Sequence, residues 1–305
     1  MELKSQLRSR GICVIIPTYN NEKSIRQVVT DTLNYCDDVI VVNDGSTDRT
    51  TATLHKMGGI TLVSYPQNKG KGGALREGFR KALSMGFAYA ITLDADGQHY
   101  PADIALFLKA NQEHPGALII GRRLLEGVDR SKGSNFANKF SNFWFYVQTG
   151  KALEDTQTGY RLYPLHKLHG LGLLTSRYEA ELELLVFASW HGVKLVSIPV
   201  NVYYPPREER VSHFRPAKDF ARISVLNTIL CFLAVVYGLP LRLGRKFMVF
   251  LRTLYSLLFF LFFTMGVFTP AVWFYIKMGK ITEKKRYRLH QLIYHASRFV
   301  MIHHG

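Results

Sequence analysis

The 305-residue chain is poor in cysteine, with Cys13, Cys36 and Cys231 in apolar or helical segments. Their spacing is not that of metal-binding cysteines, which argues against a cysteine-based zinc site and favours buried free thiols. The N-terminus also lacks the apolar run of a secretory signal peptide. We therefore expect the bulk of the chain to stay in the cytoplasm.

Acidic residues are scarce in the last third of the chain. From residue 205 onward there are 16 Lys and Arg against four Asp and Glu, whereas residues 1–204 contain 23 against 19. The same third has two uncharged runs, 223–241 and 253–276, each closed at both ends by a basic residue. Such runs indicate a membrane with anionic headgroups. They argue against a nucleic-acid partner, which would need basic residues interleaved with aromatics on a soluble face.

The second run is long enough to span a bilayer, but the topology of the pair stays open. If both runs crossed, the four basic residues from 242 to 252 would lie outside, against the positive-inside rule. The first run is then interfacial or re-entrant, or the two runs form a shallow hairpin, or the first is a buried core helix. The expected segments are a tail at 1–10, an α/β domain at 11–210, a juxtamembrane or first membrane helix at 211–252, a transmembrane helix at 253–276 and a basic amphipathic tail at 277–305.

Apolar runs alternate with helical periodicity in the first hundred residues. The runs 12–16, 39–42, 60–64 and 87–93 are continuous, as in strands buried on both faces, and amphipathic segments separate them. This alternation predicts an α/β fold with a mostly parallel, doubly wound sheet and a ligand site along one edge. Beyond Pro101 the alternation loosens, and we expect a loop and a helix within 122–150 and an extended segment at 154–163.

Asp94, Asp96 and Gln98 directly follow the fourth predicted strand. Their oxygens are hard ligands of the kind that suit Mg²⁺ or Mn²⁺ bridging to a diphosphate. An isolated Asp-x-Asp is more often an acidic surface turn. Here polar segments also follow the other three strands, at 17–22, 43–48 and 68–74, and the last of these is not a Walker A loop because no Gly-Lys-Ser/Thr follows. Four polar strand ends at one sheet edge favour a site.

Six short segments carry a family resemblance. They read Ile-Ile-Pro-Thr-Tyr-Asn, Val-Asn-Asp-Gly-Ser-Thr-Asp, Asn-Lys-Gly-Lys-Gly, Leu-Asp-Ala-Asp-Gly-Gln, Gly-Arg-Arg and Asp-Thr-Gln-Thr-Gly-Tyr-Arg, beginning at residues 15, 42, 68, 93, 121 and 155. Over about residues 11–215 the chain resembles family 2 glycosyltransferases. Within them it is most similar to the dolichol-phosphate mannose synthase and polyprenyl-phosphate glycosyltransferase branch. The resemblance implies the GT-A fold, a Rossmann-like nucleotide-diphospho-sugar transferase sheet with helices on both faces, followed by a membrane-associated helical region.

The resemblance also implies an activity. A sugar would pass, with inversion, from a UDP- or GDP-linked donor to a membrane lipid acceptor, polyprenyl phosphate, at the cytoplasmic face of the inner cell membrane. The implied cofactor is Mg²⁺ or Mn²⁺, and the implied partners are the donor, the lipid acceptor and the bilayer. A homo-oligomer is compatible with the sequence.

The implied site residues fall into donor, metal and acceptor groups. The residues implied in holding the base and ribose, or lying near the nucleotide, are Pro17, Tyr19, Glu22, Asp44 and Lys71. The implied metal ligands are Asp94, Asp96 and Gln98. The residues implied in contacting phosphates are Arg122, and Arg130 with Ser134, which would hold the acceptor phosphate. Lys132 and Lys139 are other basic candidates for the acceptor role in the same region. An extra Asn21 before Glu22 departs from the usual Tyr-Asn-Glu of the family.

The nature of the acceptor decides whether a general base is required. A sugar or lipid hydroxyl must lose a proton to attack, whereas a lipid phosphate is already anionic and needs only placement by cations. The candidate bases, each of which is equally explained as a structural acid, are Asp155, Glu181 and Glu183. The alternative function is transfer to a lipid or glycan hydroxyl, with the chain as the N-terminal part of a glycosyltransferase–acyltransferase fusion.

Two motifs of related enzymes are missing from the sequence. The Gln-x-x-Arg-Trp motif of processive polysaccharide synthases does not occur, and neither does the His-x4-Asp motif of acyltransferases. We therefore expect neither polymer extension nor acyl transfer from this chain. A third hypothesis, a non-catalytic scaffold that binds a nucleotide sugar, is disfavoured because Asp94, Asp96 and Gln98 are all present.

Overall fold

The computed structural model describes residues 2–124, 132–171, 173–203 and 216–262, together with the single positions 269, 270, 273 and 291. The chain divides into two compact units, 1–242 and 243–305. The predicted domain break at 205–210 and the predicted tail at 277–305 lie outside the described residues, apart from position 291. The predicted membrane helix at 253–276 is described to residue 262 and at three later positions.

A sheet of seven strands forms the centre of the first unit among the described residues. The strands are β1 (Ile12–Thr18), β2 (Val39–Asp44), β3 (Ile60–Tyr65), β4 (Tyr89–Thr92), β5 (Leu118–Arg123), β6 (Arg161–Pro164) and β7 (Leu195–Val200). Their spatial order is β3-β2-β1-β4-β6-β5-β7. Strand β6 is antiparallel to β4 and β5, and the other pairs are parallel. The expectation of a mostly parallel α/β sheet is confirmed, with one antiparallel strand inserted at its centre.

Helices cover both faces of this sheet. The helices of the first face are α1 (Glu2–Ser9), α2 (Ile25–Tyr35), α3 (Thr50–His55) and α5 (Ile104–Glu113). The helices of the second face are α4 (Lys71–Ser84), α6 (Lys132–Thr149), α7 (Leu165–Leu168), α8 (Glu179–Trp190) and α9 (Pro216–Leu233). Successive residues of β1 and β2 alternate between the two cores, so every side chain of both strands is buried. This is why their sequences are continuous apolar runs.

Two predicted segments belong to the first unit. Residues 1–10, expected to be a tail, contain α1, whose Leu7 is buried in the first core. Residues 216–233 of the predicted juxtamembrane segment form α9, whose Leu226 and Leu230 are buried in the second core. In both segments a helix brings apolar side chains to the side that faces the sheet's covering layer, where they are buried, and in α9 further apolar residues lie on the outer side.

The apolar run after residue 222 continues beyond α9. A π-helical turn, Ala234–Gly238, joins α9 to α10 (Leu239–Phe262), and α10 is interrupted at Gly244, where φ is 77°. Among the described residues, the segment Arg222–Leu241 is long and apolar enough to cross a membrane, by length and composition only. Val249–Phe260, in the second unit, is a shorter apolar helix.

Candidate active site

The carboxyl ends of neighbouring parallel strands bring the predicted site residues to one edge of the sheet. Strands β1, β2 and β4 run in the same direction, and Tyr19, Asp44 and Asp94 lie at or just beyond their ends. Strand β3 is parallel to β2, and the helix that follows it, α4, begins at Lys71. This edge is where open α/β sheets bind their ligands.

Lys71 lies between two carboxylates. Its Nζ is 2.7 Å from Oδ1 of Asp94 and 2.9 Å from Oε2 of Glu181, and all three side chains are largely buried. Burial opposes the charge on Lys71, but Asp94 and Glu181 raise its pKa above the ordinary value. Burial also opposes the charge on Asp94, but Lys71 holds the pKa of this carboxyl below its usual value. Lys71 is therefore a cation at neutral pH and Asp94 an anion.

Glycines let these elements approach closely enough to form the ion pairs. A Cβ on Gly72 would lie 2.3 Å from Cβ of Ala180, so the start of α4 packs directly on α8, the helix that carries Glu181. A Cβ on Gly159 would lie 2.5 Å from Asp94 Oδ2 and 2.7 Å from Lys71 Nζ. Because real Cβ atoms do not approach other atoms so closely, side chains at either position would displace the ion pairs.

Asp96 adds a further negative charge to the same place. Its Oδ1 accepts the backbone N–H of Gln98 at 3.0 Å. Burial and the charge of Asp94 raise the pKa of Asp96 to about 6. Glu181 also has a buried oxygen, Oε1, that lacks a hydrogen-bond partner among the described residues. Three carboxylates thus lie beside two cations of the described residues, Lys71 and the buried Arg161, whose charges act on Asp94 and Glu181. The site is left with excess negative charge.

This arrangement fits a divalent cation held from one side. In the described part of the chain, no three His, Cys, Asp or Glu side chains are arranged to enclose a metal. Mg²⁺ in nucleotide enzymes is commonly held by one or two carboxylates, with substrate phosphates and water completing its coordination. Asp94 and Asp96 supply such a pair, and their excess charge is what a divalent ion would neutralise.

His99 closes the site on the side of the first core. Its Nε2 is 3.8 Å from Asp94 Oδ2, and its ring meets Tyr160 edge-on with 5.0 Å between ring centroids. Burial lowers the pKa of His99 to about 4, so the ring is neutral at pH 7. Sequence analysis did not single out His99, because only the fold brings it against Asp94.

The predicted base-binding residues lie along the ends of β1 and β2. Pro17 is buried within β1, and Tyr19 is half-buried just after it. Asp44 accepts the backbone N–H of Lys69 at 2.7 Å, and burial raises its pKa. Glu22 is turned toward α3, where its Oε2 accepts the backbone N–H of Arg49 at 3.1 Å.

Asn20 connects these two loops, a role that sequence analysis did not predict although Asn20 belongs to a family motif. It has a positive φ of 53°, and its Oδ1 accepts the backbone N–H of Thr47 at 2.8 Å. Its backbone N–H donates to Ser46 Oγ at 3.0 Å. Asn is among the residues that tolerate the left-handed region, which is the signal that could have identified it. The loop after β1 is thereby fixed to the loop after β2.

The two arginines at the end of β5 pair with the segment before β6. Arg122 forms a partly exposed ion pair with Glu154, with 3.0 Å between Nη1 and Oε2. Arg123 binds Asp155 through two hydrogen bonds, of 2.7 and 2.8 Å. Arg130 lies outside the described residues. Ser134 falls in the first turn of α6, but its side chain is outside what the structure describes.

Comparison with known proteins gives the family. The sequence profile of Glycosyl transferase family 2 matches residues 13–162. The UDP-N-acetylglucosamine–dolichyl-phosphate N-acetylglucosaminyltransferase of Methanococcus voltae is 30% identical over 216 residues, which are 63% of this chain and 86% of that protein. The chain belongs to glycosyl transferase family 2. This confirms the family expected from the sequence motifs, and with it a glycosyltransferase activity.

Two further comparisons define the branch and the fold. A polyprenol monophosphomannose synthase of Mycolicibacterium smegmatis is 29% identical over 216 residues, 65% of this glycosyltransferase and 79% of that protein. With the Methanococcus voltae enzyme, it supports the polyprenyl-phosphate branch. The crystal structure of glucosyl-3-phosphoglycerate synthase from Mycobacterium tuberculosis with Mn²⁺, UDP and phosphoglyceric acid has a TM-score of 0.58 at 18% identity. It covers 78% of this chain and 81% of that one, and it supports the GT-A fold alone.

The three candidate bases of the glycosyltransferase have different surroundings. Glu183 is buried and accepts the backbone N–H groups of Leu174 and Thr175. Asp155 is bound by Arg123. Glu181 alone among the three lies beside Lys71 and Asp94. The contacts of Asp155 and Glu183 are those expected of structural acids, and of the three candidates Glu181 is the one placed beside the carboxylate pair.

Arg161 is a buried residue that helps to position the site. Sequence analysis named it only as part of a family motif. Its guanidinium is fully buried and donates to the carbonyls of Thr156 and Glu181, at 2.8 Å each. These bonds tie β6 to α8. The first residue of the antiparallel strand thereby helps to position the helix that carries Glu181.

The Arg123–Asp155 pair gives a pH-dependent prediction. Burial opposes ionisation of Asp155, but the bonds from Arg123 hold its pKa below the ordinary value. A lowered folded-state pKa contributes stability above the unfolded pKa, and this stability is lost as pH falls through the folded pKa. We expect Asp155→Asn to lower the free energy of unfolding by about 3 kcal/mol at pH 7, because it removes the carboxylate that binds the largely buried Arg123 guanidinium. The deficit should shrink below about pH 4, near the unfolded pKa of Asp.

Thermal unfolding of the detergent-purified enzyme at several pH values measures this difference. Asp37→Asn is the control, because its carboxylate is half-exposed and its ion pair, with Lys4, lies at the surface. The control should change the free energy of unfolding by less than about 1 kcal/mol. Equal losses for the two variants, or a deficit for Asp155→Asn that does not change with pH, would contradict the assignment.

Proposed function

We propose that this glycosyltransferase transfers a sugar from a UDP- or GDP-linked donor to polyprenyl phosphate, with inversion at the anomeric carbon. The reaction would take place at the cytoplasmic face of the inner cell membrane. The observation that carries the proposal is the buried, negatively charged pair Asp94 and Asp96 at the carboxyl edge of the sheet. The two relatives, a dolichyl-phosphate N-acetylglucosaminyltransferase and a polyprenol monophosphomannose synthase, support a polyprenyl phosphate acceptor.

The chain's own residues would bind and orient the donor at this edge. A divalent Mg²⁺ or Mn²⁺ held by Asp94 and Asp96, with Gln98 nearby, would stabilise the charge that grows on the leaving nucleoside diphosphate. Lys71 keeps Asp94 ionised and fixed in place. In this proposal, the groups that hold the base and ribose and contact the donor phosphates are Pro17, Tyr19, Glu22, Asp44 and Arg122.

The surroundings of the candidate bases favour a phosphate acceptor over a hydroxyl. A hydroxyl acceptor would need a free carboxylate base, and two of the three candidates are bound in structural roles. The third, Glu181, has one oxygen on Lys71. A lipid phosphate arrives as an anion and requires only placement, for which we propose Arg130 and Ser134.

A donor screen tests the proposed reaction. Purified full-length enzyme in detergent would receive polyprenyl phosphate, Mn²⁺ or Mg²⁺, and a panel of UDP- and GDP-sugars, with lipid-linked sugar as the readout. We expect one donor class to give product, and chelation of the metal to abolish it. Asp96→Asn should reduce the rate at least about 100-fold, because charge stabilisation at the leaving group is lost.

Asp37→Asn, a surface aspartate paired with Lys4, is the matched control and should retain its activity. Product that forms equally well in chelator, or in Asp96→Asn, would remove the basis of the proposal. Donor binding without transfer to polyprenyl phosphate would instead point to a hydroxyl acceptor.

A pair of variants tests the acceptor chemistry directly. If no general base is required, Glu181→Gln keeps an oxygen for the Lys71 hydrogen bond and should reduce kcat less than about tenfold. Loss of a general base would reduce kcat about 100- to 10,000-fold. Arg130→Ala should lower kcat/KM for the acceptor about 10- to 100-fold, because a charge-assisted hydrogen bond to the phosphate is lost. The KM for the donor should stay unchanged. The reverse order of effects would favour a hydroxyl acceptor activated by Glu181.

A further inference from the structure

Helix α8 of the first unit is buried on all sides. Every residue from Glu179 to Trp190 is buried, and the helix packs against both α6 and α9. These two helices also pack against each other, through a hydrogen bond of 3.0 Å from Gln148 Nε2 to Asn227 Oδ1. Helices α6 and α9 therefore form an outer layer over α8, with their inner faces on the protein.

The outer face of α6 is apolar. Phe143, Tyr146 and Val147, spaced three and four residues apart on one side of the helix, have 58%, 55% and 48% of their surface exposed. Phe145 and Gln148, on the opposite side, are buried. A surface helix usually turns its polar side to water, so an outward apolar stripe indicates a partner.

The outer face of α9 and of the π-helical turn that follows is apolar in the same way. Val225, Ile229, Phe232 and Val236 are exposed at successive turns. The inner face is fixed to the protein by Leu226 and Leu230 in the second core. After the end of α9, a Cβ on Gly238 would lie 2.6 Å from the ring of Trp190, a residue of α8. The π-helical turn therefore also packs closely on α8.

The charges of this outer layer identify the partner. Neither α6 nor the segment 222–241 contains an Asp or Glu, while Lys139 and Arg222 are exposed on the two helices. Asp219 lies in the first turn of α9 and precedes this segment. From residue 222 onward, and along α6, the surface combines large exposed apolar side chains with basic residues and contains no acidic residue. Such a surface is complementary to a bilayer with anionic headgroups. A polar protein partner would not require this combination.

We propose that the outer faces of α6 and α9 together form a membrane-contact surface that lies flat on the cytoplasmic leaflet. Although Arg222–Leu241 is long and apolar enough to cross a bilayer, it does not cross in this arrangement. Crossing would pull the buried Leu226, Asn227 and Leu230 away from the second core. The segment lies instead at the interface, with one face on the catalytic unit and the other on lipid.

This surface would also place the lipid acceptor at the site, and that role rests on the proposed function. Helix α6 contains Ser134 in its first turn and follows β5, whose end lies beside the site. A bilayer seated on α6 would therefore hold the phosphate of a polyprenyl lipid at headgroup depth, near the turn of α6 that contains Ser134. The catalytic unit itself, and not only its C-terminal segment, would be docked on the membrane.

Depth-dependent fluorescence quenching tests the arrangement without using transfer activity, so its failure is separate from failure of the proposed reaction. The full chain with Cys231→Ser would carry an environment-sensitive fluorophore on a single new cysteine: Tyr146→Cys, Val225→Cys or Val236→Cys. Leu106→Cys is the control, because Leu106 is an exposed apolar residue of α5 on the opposite face of the sheet. The protein would be reconstituted into phosphatidylcholine–phosphatidylglycerol vesicles with quenchers near the headgroup or the bilayer centre.

We expect the three test labels to be quenched to a similar degree, and more strongly by the shallow quencher. The Leu106→Cys label should not be quenched. If the segment spans the bilayer, the labels at 225 and 236 would differ in depth by roughly 16 Å, from the helical rise over eleven residues, and the label at 146 would not be quenched. That result would overturn the proposal. So would labels shielded from both quenchers together with cross-linking between copies, which would identify a second copy of the chain as the partner.

Discussion

The ammonium group of Lys71 between Asp94 and Glu181 is the interaction on which the site depends. Buried carboxylates are costly unless a cation and hydrogen bonds compensate them. Here one lysine compensates a carboxylate at the end of β4 and another on α8, two elements far apart in the chain. The fold must therefore bring the start of α4, the end of β4 and α8 to one point. The small residues at positions 72, 159 and 180 are what allow that approach.

The negative charge of the carboxylates is only partly neutralised, and the charge that remains is what would attract a cation. Asp96 shares the location and has no ammonium group within hydrogen-bonding distance among the described residues, and burial with the Asp94 charge raises its pKa. A site in which every carboxylate was paired would have little affinity for a divalent cation. The excess charge instead suits a cation that arrives with a diphosphate. The same helix that anchors Glu181 also supports α6 and α9, so the site and the proposed membrane-contact surface share one scaffold.

Much of the fold follows from local pattern. Strands β1 and β2 are continuous apolar runs because both of their faces are covered, and the helices that follow them have clear periodicity. The edge position of Asp94, Asp96 and Asp44 then follows from the parallel order of the strands. The insertion of β6 between β4 and β5 could not be predicted, because four residues carry too little pattern to define a strand's partners. The Lys71–Glu181 pair was missed because sequence pattern does not specify which distant helix packs on α4. The roles of His99 and Arg161 were missed for the same reason, because each depends on tertiary contacts.

The most direct test of the account is the dependence of nucleotide binding on metal at the carboxylate pair. Calorimetric titration of UDP and GDP into the full-length enzyme, with and without Mn²⁺, measures it without requiring the acceptor. The account predicts that Mn²⁺ tightens the binding of one nucleotide at least about tenfold, a difference of about 1.4 kcal/mol. Asp96→Asn should lose this gain and keep the metal-independent binding. Equal affinity with and without metal, or an unchanged gain in Asp96→Asn, would contradict the central claim that Asp94 and Asp96 form a divalent-cation site for a nucleoside diphosphate.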